Sequence, residues 1–448
     1  MADINIIKGN VIIPEMGVQR VGISIEGGEI ISIASEASLP SAAETIDASG
    51  MYVLPGLIDP HVHLGFSKGF EADCRTETRS ALVGGITTVG CYLGVPDPYS
   101  TVLPGIEQQV NEVASADVVI HVAINTPEQM KEIPRYASDF GINTFKFYMF
   151  GVPGLIPSQS NAFILEGFRE VAKLGKGALC CVHAEDASMT GPGWEKFAGV
   201  EEKSLAAWAE CNPDESEELA VIIASYLADR AKVRVNILHL CTALSVERLR
   251  QIKKVNPFVN AEAFNLALSI NKHSDIGLKG RWAPAVRGPE DQEALWAGIK
   301  DDTIDTIGCD SISVDMEGFE RFGGMGGSAA DALMFSWILT EGYHKRGIPL
   351  EKLVEKCTIN PARLLGIYPQ KGAITVGSDA DLAIVDVNKE FEVDYRKLHS
   401  VSDWNMFQGK KLKGQSIITI KSGKIAYREG EILVEPGLGI YLRRKVYR

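Results

Sequence analysis

Short apolar runs alternate with helical stretches through the middle of the chain. Runs such as GITTVGCYL (85–93) and NTFKFYMF (143–150) are rich in β-branched or aromatic residues, which is typical of buried strands. Between such runs, stretches such as ESEELAVIIASYLADRA (215–231) carry apolar residues three and four positions apart, the spacing of one helix face. This repeated order of strand and helix predicts a parallel sheet with helices outside, and at this length a (β/α)8 barrel.

Both ends of the chain have a different pattern. INIIKGNVII (4–13) and SIITIKSGKIAYREGEILV (416–434) are β-rich and broken by glycine, and neither is followed by a helical stretch. We therefore expect a small composite β-sandwich domain built from residues 1–53 and 373–448, and a catalytic barrel over residues 54–372. The glycine-rich stretch 311–330 is expected to be a functional loop.

Composition narrows the range of functions. A chain of 448 residues with 45% hydrophobic content can build a large core, and its net charge of -13 argues against nucleic acid or an anionic membrane surface as a partner. No apolar run approaches the length of a membrane span. The eight cysteines are scattered without a Cys-x-x-Cys pair, and the N-terminus lacks the layout of a signal peptide, so we expect a cytoplasmic protein with reduced thiols.

Candidate chemistry begins with the pair His61 and His63, which follows the apolar run MYVLPGLIDP. In a strand, residues two apart point to the same face, so both imidazoles could reach one metal ion. Two ordinary polar residues at a strand end would give the same pattern. Asp59 could orient one of these histidines, or it could be a turn residue.

Lys146 lies inside NTFKFYMF, where burial of an unpaired ammonium would be costly. It could extend its amine to solvent or pair with a carboxylate. Alternatively, the apolar setting lowers the lysine pKa, and the neutral amine adds carbon dioxide to give a carbamate able to bridge two metal ions. The residue alone does not decide between these alternatives.

Three further candidates follow strand-like runs. His183 follows the apolar residues of GALCCVHAED, His239 lies in RVNILHLCT, and Asp310 follows TIDTIGC. A single histidine on such a run is usually a core residue, and a single aspartate is usually a helix cap or turn residue. Together with the earlier candidates they favour a metal site, with Asp310 as ligand and proton carrier. The remaining histidines are expected to be ordinary: His121, His273, His344 and His399.

With these residues in place, the chain resembles the amidohydrolase superfamily and, within it, the cyclic amidohydrolases such as hydantoinase, dihydropyrimidinase and allantoinase. The resemblance spans essentially the whole length, and it is closest to the L-hydantoinase type. The segments that carry it each contain one or two of the candidate ligands: PGLIDPHVHLG, TFKFYMF, VHAED, ILHLCTALSVE and WAPAVRGPEDQEALWAGIKDDTIDTIGCDS.

The resemblance implies two divalent metal ions, usually zinc. It places His61, His63 and Asp310 on one ion and His183 and His239 on the other, with carboxylated Lys146 and a hydroxide between them. That hydroxide would attack the amide of a small cyclic substrate of the hydantoin or dihydropyrimidine type, and Asp310 would carry its proton to the leaving nitrogen. The product would be an N-carbamoyl acid or a related acyclic acid. The resemblance also implies a homo-oligomer, a tetramer or a dimer.

Departures from the family pattern bear on the substrate. Gly65 replaces the arginine of dihydroorotases, and Gly151 replaces the tyrosine that dihydropyrimidinases and D-hydantoinases use as an oxyanion donor. Ser311 follows Asp310 where the family usually has histidine. Gly326 replaces a substrate-binding asparagine, while backbone contacts near Ala283 are expected to remain. We expect Gly151, Ala283 and Gly326 to lie at the substrate.

The aromatic run around Lys146 favours a substrate with an apolar or aromatic substituent. Tyr148 lies near the missing tyrosine but in a different register, and we expect it and Phe150 to contact the substrate, with Phe147 and Leu155 as further candidates. All four could equally be core residues. An allantoinase, or a hydrolase of another cyclic amide, imide or lactam, is the alternative activity. A non-catalytic scaffold of the same fold is disfavoured, because all six ligand positions are kept.

Overall fold

The computed structural model describes residues 1–151, 156–327 and 330–445. The chain begins with a group of short strands that precede the barrel. In order they are β1 (Ala2–Ile7), β2 (Asn10–Ile13), β3 (Gly17–Gln19), β4 (Gly22–Glu26), β5 (Glu29–Ala34), β6 (Ala42–Asp47) and β7 (Tyr52–Pro55).

The barrel strands follow, all parallel to one another. They are β8 (Leu57–His63), β9 (Ile86–Leu93), β10 (Asp117–Ala123), β11 (Thr144–Tyr148), β12 (Leu179–His183), β13 (Arg234–Leu240), β14 (Val259–Phe264), β15 (Thr306–Gly308) and β16 (Ser311–Ile312). Strand β15 pairs with β14, and β16, which starts three residues later, pairs with β8. These two pieces therefore act as one interrupted eighth strand that closes the sheet, which confirms the predicted (β/α)8 barrel.

Helices connect the barrel strands and cover them. They are α1 (Phe70–Val83), α2 (Leu103–Val113), α3 (Pro127–Lys131), α4 (Ile133–Phe140), α5 (Asn161–Ala172), α6 (Ala187–Ala198), α7 (Leu205–Cys211), α8 (Asp214–Ala231), α9 (Ala243–Ile252), α10 (Asn265–Ser269), α11 (Pro289–Lys300), α12 (Met316–Arg321), α13 (Met334–Trp337), α14 (Leu350–Cys357) and α15 (Ile359–Leu365). Helix α13 continues as a π-helix over Ile338–Lys345.

The chain then returns to the first group of strands. The last strands are β17 (Leu382–Glu392), β18 (Lys411–Lys421), β19 (Lys424–Arg428) and β20 (Glu431–Ile432). Strand β17 pairs antiparallel with β7, so both ends of the chain share a seven-stranded sheet, and a four-stranded sheet of β5, β4, β1 and β6 lies beside it. Isoleucine side chains from the two sheets share one core, as expected for the predicted composite β-sandwich.

The last described residues leave the sandwich and lie along the barrel. The Leu442 N–H donates to the Val118 carbonyl, and the buried Arg444 donates to Thr144 Oγ1. The exact domain limits at residues 53 and 373 stay a prediction.

Candidate metal centre

Barrel topology brings the sequence candidates to one end of the sheet. His63 and His183 are the last residues of β8 and β12, and His239 lies near the end of β13. Asp310 occupies the gap between β15 and β16. Because the carboxyl ends of parallel strands meet at one face of a barrel, these distant residues become neighbours.

The first group of candidate ligands consists of His61, His63 and Asp310. Asp310 Oδ1 lies 3.0 Å from Nε2 of both His61 and His63. The His61 side chain is fully buried, and 11% of the His63 side chain is exposed. Burial alone would raise the pKa of Asp310, but the two imidazoles outweigh that effect and hold the pKa well below its usual range. Three donor atoms of this chemistry in one place suit a divalent cation.

Lys146 projects into the same space from β11. Its Nζ lies 3.3 Å from His61 Nε2 and only 2% of the residue is exposed. The rings of Tyr92 and Tyr148 lie 4.6 and 5.1 Å from the amine. Burial lowers the pKa of Lys146, which favours the neutral amine.

The second group consists of His183 and His239, whose ring centres are 4.3 Å apart. His239 also stacks on His61, with ring centres 5.5 Å apart, so the two groups are contiguous. His239 Nε2 is buried and has no hydrogen-bond partner among the described residues. A buried imidazole nitrogen without a partner is costly, and a metal ion would satisfy it. The residues present therefore fit a metal centre.

Two of the candidate ligands have unusual backbone conformations. His239 has φ of 39° and Asp310 has φ of 48°, both in the left-handed region that non-glycine residues avoid. At His239 the pairing of β13 with β14 shifts register, and at Asp310 the eighth strand is interrupted. Such strained positions cluster at functional sites, because tertiary contacts must maintain them.

Carboxylates that sequence reasoning did not single out hold two of the imidazoles. Glu262, fully buried on β14, lies with Oε1 2.8 Å from His61 Nδ1 and also accepts the His239 N–H. Glu185 lies with Oε2 2.8 Å from His183 Nε2. Each contact leaves the other ring nitrogen available to a metal, which is how such carboxylates orient ligands. The signals were present in the sequence: Glu262 interrupts an apolar run as Lys146 does, and Glu185 lies two residues after His183.

Asp59, the sequence candidate for orienting a histidine, contacts the backbone instead of an imidazole. Its Oδ1 accepts the N–H of His61 at 3.0 Å and that of Cys309 at 3.2 Å. It therefore joins β8 to the interrupted eighth strand. Burial raises the pKa of Asp59 to about 6.

Trp282 is a further neighbour that the sequence did not indicate. It lies in the segment before α11, and its Nε1–H donates to Asp310 Oδ2 at 2.8 Å. The two oxygens of this carboxylate thus have different partners, the histidines on one side and the indole on the other.

A cavity of about 610 Å³ opens over these residues. Tyr148, Phe150, Ala283 and Gly326, four of the expected substrate contacts, line it. Its walls are mainly apolar and include Phe66, Val95, Ile156, Ile312, Phe322 and Met325. Such a cavity above convergent polar groups is typical of a small-molecule site.

Two other expectations for this cavity have a different outcome. Gly151 is not among its lining residues in the described part of the chain, and a side chain there would point towards Ser158. Phe147 faces the other way, with its ring 5.3 Å from Phe168 of α5, so it is a core residue. Leu155 lies outside the described residues.

Comparison with known proteins agrees with this geometry. The model of the amidohydrolase family matches residues 168–426, more than half of the chain. The L-hydantoinase of Paenarthrobacter aurescens is 30% identical over 99% of this chain and 98% of its own length. The chain belongs to the amidohydrolase family. This amidohydrolase is also 28% identical to the D-hydantoinase of Geobacillus stearothermophilus, over 99% of this chain and 97% of that protein.

Solved structures of amidohydrolases show the same architecture. The structure of an L-hydantoinase (dihydropyrimidinase) from Arthrobacter aurescens has a TM-score of 0.90 and 29% identity, and the match covers 98% of this chain and 99% of that one. A D-hydantoinase structure also has a TM-score of 0.90, with 27% identity and complete coverage of both chains. Among the described residues of this amidohydrolase, no helix combines the length and apolar character needed to cross a membrane.

Proposed function

We propose that this amidohydrolase opens a cyclic amide ring of the hydantoin or dihydropyrimidine type to give an N-carbamoyl acid. The observation that carries the proposal is the convergence of four histidines, a buried lysine and an aspartate beneath an apolar cavity. The related L- and D-hydantoinases lend support over the full length of the chain.

The donor set suggests where two metal ions would be held. His61, His63 and Asp310 would hold one ion, and His183 and His239 the other. Imidazole and carboxylate ligands suit zinc, so we propose zinc as the native metal. When bound, these ions would lower the pKa of water and polarise the substrate carbonyl.

Lys146 would supply the bridging ligand as a carbamate. Burial lowers its pKa, so a neutral amine is available. The Nζ lone pair attacks the carbon of carbon dioxide, a C–N bond forms, and one N–H proton passes to solvent. The product is a carbamate anion, whose two oxygens could serve as metal ligands.

Asp310 would carry the proton of the reaction. Its carboxylate lines the cavity, where it could contact both a water held by the metal ions and the ring amide of a bound substrate. It would accept the proton of the water and return it to the leaving nitrogen, which completes ring opening without an added co-reactant.

The cavity favours uncharged rings with an apolar or aromatic substituent. Phe66, Phe150 and Phe322 provide aromatic walls. Apart from the candidate ligands, the described lining residues include no lysine or arginine. A substrate carboxylate would therefore find no cation to pair with, which argues against dihydroorotate.

A substrate panel tests the activity. Ring opening would be measured on 5-substituted hydantoins, dihydropyrimidines, allantoin and cyclic imides, beside metal analysis of the purified protein. We expect about two metal ions per chain and the fastest turnover on aryl-substituted hydantoins. Allantoin turnover far above hydantoin turnover would favour the alternative activity. Protein without stoichiometric metal that opens no ring would favour the non-catalytic scaffold.

Lys146→Ala tests the role of the lysine. We expect kcat to fall about a hundredfold or more, because one shared ligand would be lost from both ions. Lys173→Ala, at an exposed lysine, is the control. Carbon NMR with isotopically labelled bicarbonate should show a carbamate signal in the unsubstituted protein and none in Lys146→Ala. Full activity of Lys146→Ala would exclude this role.

Assembly and location complete the proposal. We propose a homo-oligomer, a tetramer or a dimer, which light scattering of the purified protein would test. The eight cysteines are free and buried, which suits a reducing compartment, and we propose the cytoplasm.

A further inference from the structure

The two carboxylate oxygens of Asp310 have different partners, and one of these partners is the indole of Trp282. Oδ2 accepts the Nε1–H at 2.8 Å, while Oδ1 faces the Nε2 atoms of His61 and His63 at 3.0 Å each. A carboxylate on a short side chain can rotate and exchange its two oxygens. A fixed donor on one oxygen restricts that rotation and leaves the other oxygen directed at the histidines.

The indole itself is held from several directions. Only 5% of Trp282 is exposed, and its carbonyl accepts the Nε1–H of the buried Trp208 at 2.6 Å. Its ring lies 6.2 Å from that of Phe264. On another side the ring lies against Gly327, where an added Cβ would be 2.9 Å from it. The donor is therefore rigid, which is the property required of a group that orients a reacting carboxylate.

We propose that Trp282 is a positioning residue for Asp310. This inference rests on the proposed function, in which Asp310 is both a metal ligand and the proton carrier. Trp282 keeps Oδ1 towards the metal side and holds Oδ2 in one orientation, so that the proton-carrying carboxylate does not rotate during turnover. A neutral donor to a charged acceptor in a buried site carries enough free energy for an effect of about ten- to a hundredfold on turnover.

Replacing Trp282 by the isostere benzothienylalanine tests the hydrogen bond alone. Sulfur takes the place of N–H and the ring keeps its size, so the cavity wall and the neighbouring Ala283 backbone stay in place. We expect kcat to fall about ten- to a hundredfold with KM changed less than about twofold. A role in substrate binding would instead raise KM, and that result would overturn the proposal.

Trp337 provides a matched control. It is also buried, and its Nε1–H has no partner among the residues that the structure describes. The same isostere at that position should leave kcat and KM unchanged. Gly327→Ala provides a second perturbation, because its Cβ would push the Trp282 ring without removing the N–H. It should lower kcat in the same direction as the isostere at Trp282.

A second readout does not depend on turnover. Zinc-loaded proteins would be mixed with a chelator, and the rate of metal loss would be followed with a chromogenic indicator. Because Asp310 is a proposed ligand, we expect the isostere at Trp282 to lose metal about tenfold faster than the unsubstituted protein, and the isostere at Trp337 to lose it at the unsubstituted rate.

The two readouts separate this proposal from the proposed function. If the unsubstituted protein opens no ring of the panel, the proposed function fails, and the rate of metal loss alone decides the role of Trp282. An unchanged rate of metal loss in the isostere at Trp282 overturns the proposal whether or not the protein turns over a substrate.

Discussion

At the scale of single residues, buried charges next to the histidines are the most informative feature. Lys146, Glu185 and Glu262 are almost fully excluded from solvent, and each contacts an imidazole of the candidate metal centre. An ionic group in such a place is costly unless it is paired or performs chemistry. Glu262 and Glu185 determine which ring nitrogen of His61 and His183 faces the site. These two histidines are therefore oriented before a metal ion binds.

Glu262→Ala is expected to weaken metal binding about ten- to a hundredfold, because His61 would lose the carboxylate on Nδ1. Competition with a chelator of known affinity would measure the change. Glu262→Gln keeps an oxygen acceptor at the same position and should lose less. Equal metal affinity in Glu262→Ala and the unsubstituted protein would contradict this role.

At the scale of elements, β9 lies very close to β8 at Gly90. A Cβ at this position would meet the carbonyl oxygen of Pro60 and lie 2.5 Å from Nε2 of the buried His121. Pro60 immediately precedes His61, so the close approach of these strands also sets where that ligand lies. His121 contributes through packing, with its ring centre 4.4 Å from that of Tyr92.

Gly90→Ala is therefore expected to lower the free energy of unfolding by about 1–3 kcal/mol through overpacking. Chemical denaturation would measure it. Gly94→Ala, just beyond the end of the same strand, is the matched control, because a Cβ there has no neighbour within 4 Å. Equal stability of the two variants would show that β8 and β9 can separate at no cost.

At the scale of the whole molecule, buried ion pairs join the barrel to the sandwich. Lys371 Nζ lies 2.5 Å from Asp117 Oδ2 on the barrel strand β10 and 2.7 Å from Asp381 Oδ2, just before β17. Lys421 of β18 lies 3.1 Å from the same Asp117 oxygen. Burial alone would raise the pKa of Asp381, but the two ammonium groups outweigh it and lower the pKa from 3.8 to about 2.

Lys371→Met is expected to lower the free energy of unfolding by about 3–5 kcal/mol, because it leaves two carboxylates buried without their main partner. Lys8→Met, at an exposed pair with Asp47, should change stability little. Thermal or chemical unfolding would measure both. A small effect of Lys371→Met would mean that water or Lys421 replaces the lost ammonium.

The same cluster predicts a pH dependence. The pKa of Asp381 is lower in the folded protein than in the unfolded chain, so its contribution to stability is present above pH 3.8 and is lost as the pH falls towards 2. Lys371→Met should make the free energy of unfolding depend less on pH between 3.8 and 2, because the main cause of the lowered pKa is removed. Unfolding free energies measured across that range would test this prediction, and an equal pH dependence in the two proteins would refute it.

The sequence determined the architecture and most of the candidate chemistry. Strand and helix periods predicted the barrel and the composite sandwich, since each periodicity reflects which face of an element is buried. Lys146 could be identified from the sequence because a charged residue inside an apolar run is unusual whichever element that run forms. Glu262 carried the same signal in NAEAF, so the sequence could have indicated it too.

Only the tertiary structure decided which groups meet. The left-handed backbone at His239 and Asp310, the indole of Trp282 on Asp310, and the ion pairs of Lys371 depend on residues far apart in sequence. The same holds for Phe147 and Phe150, which lie three positions apart on one aromatic run. The ring of Phe147 packs in the core, whereas Phe150 lines the cavity. Local patterns encode burial and backbone preference. The pairing of particular atoms is set by strand register and loop geometry, which exist only when the barrel has closed.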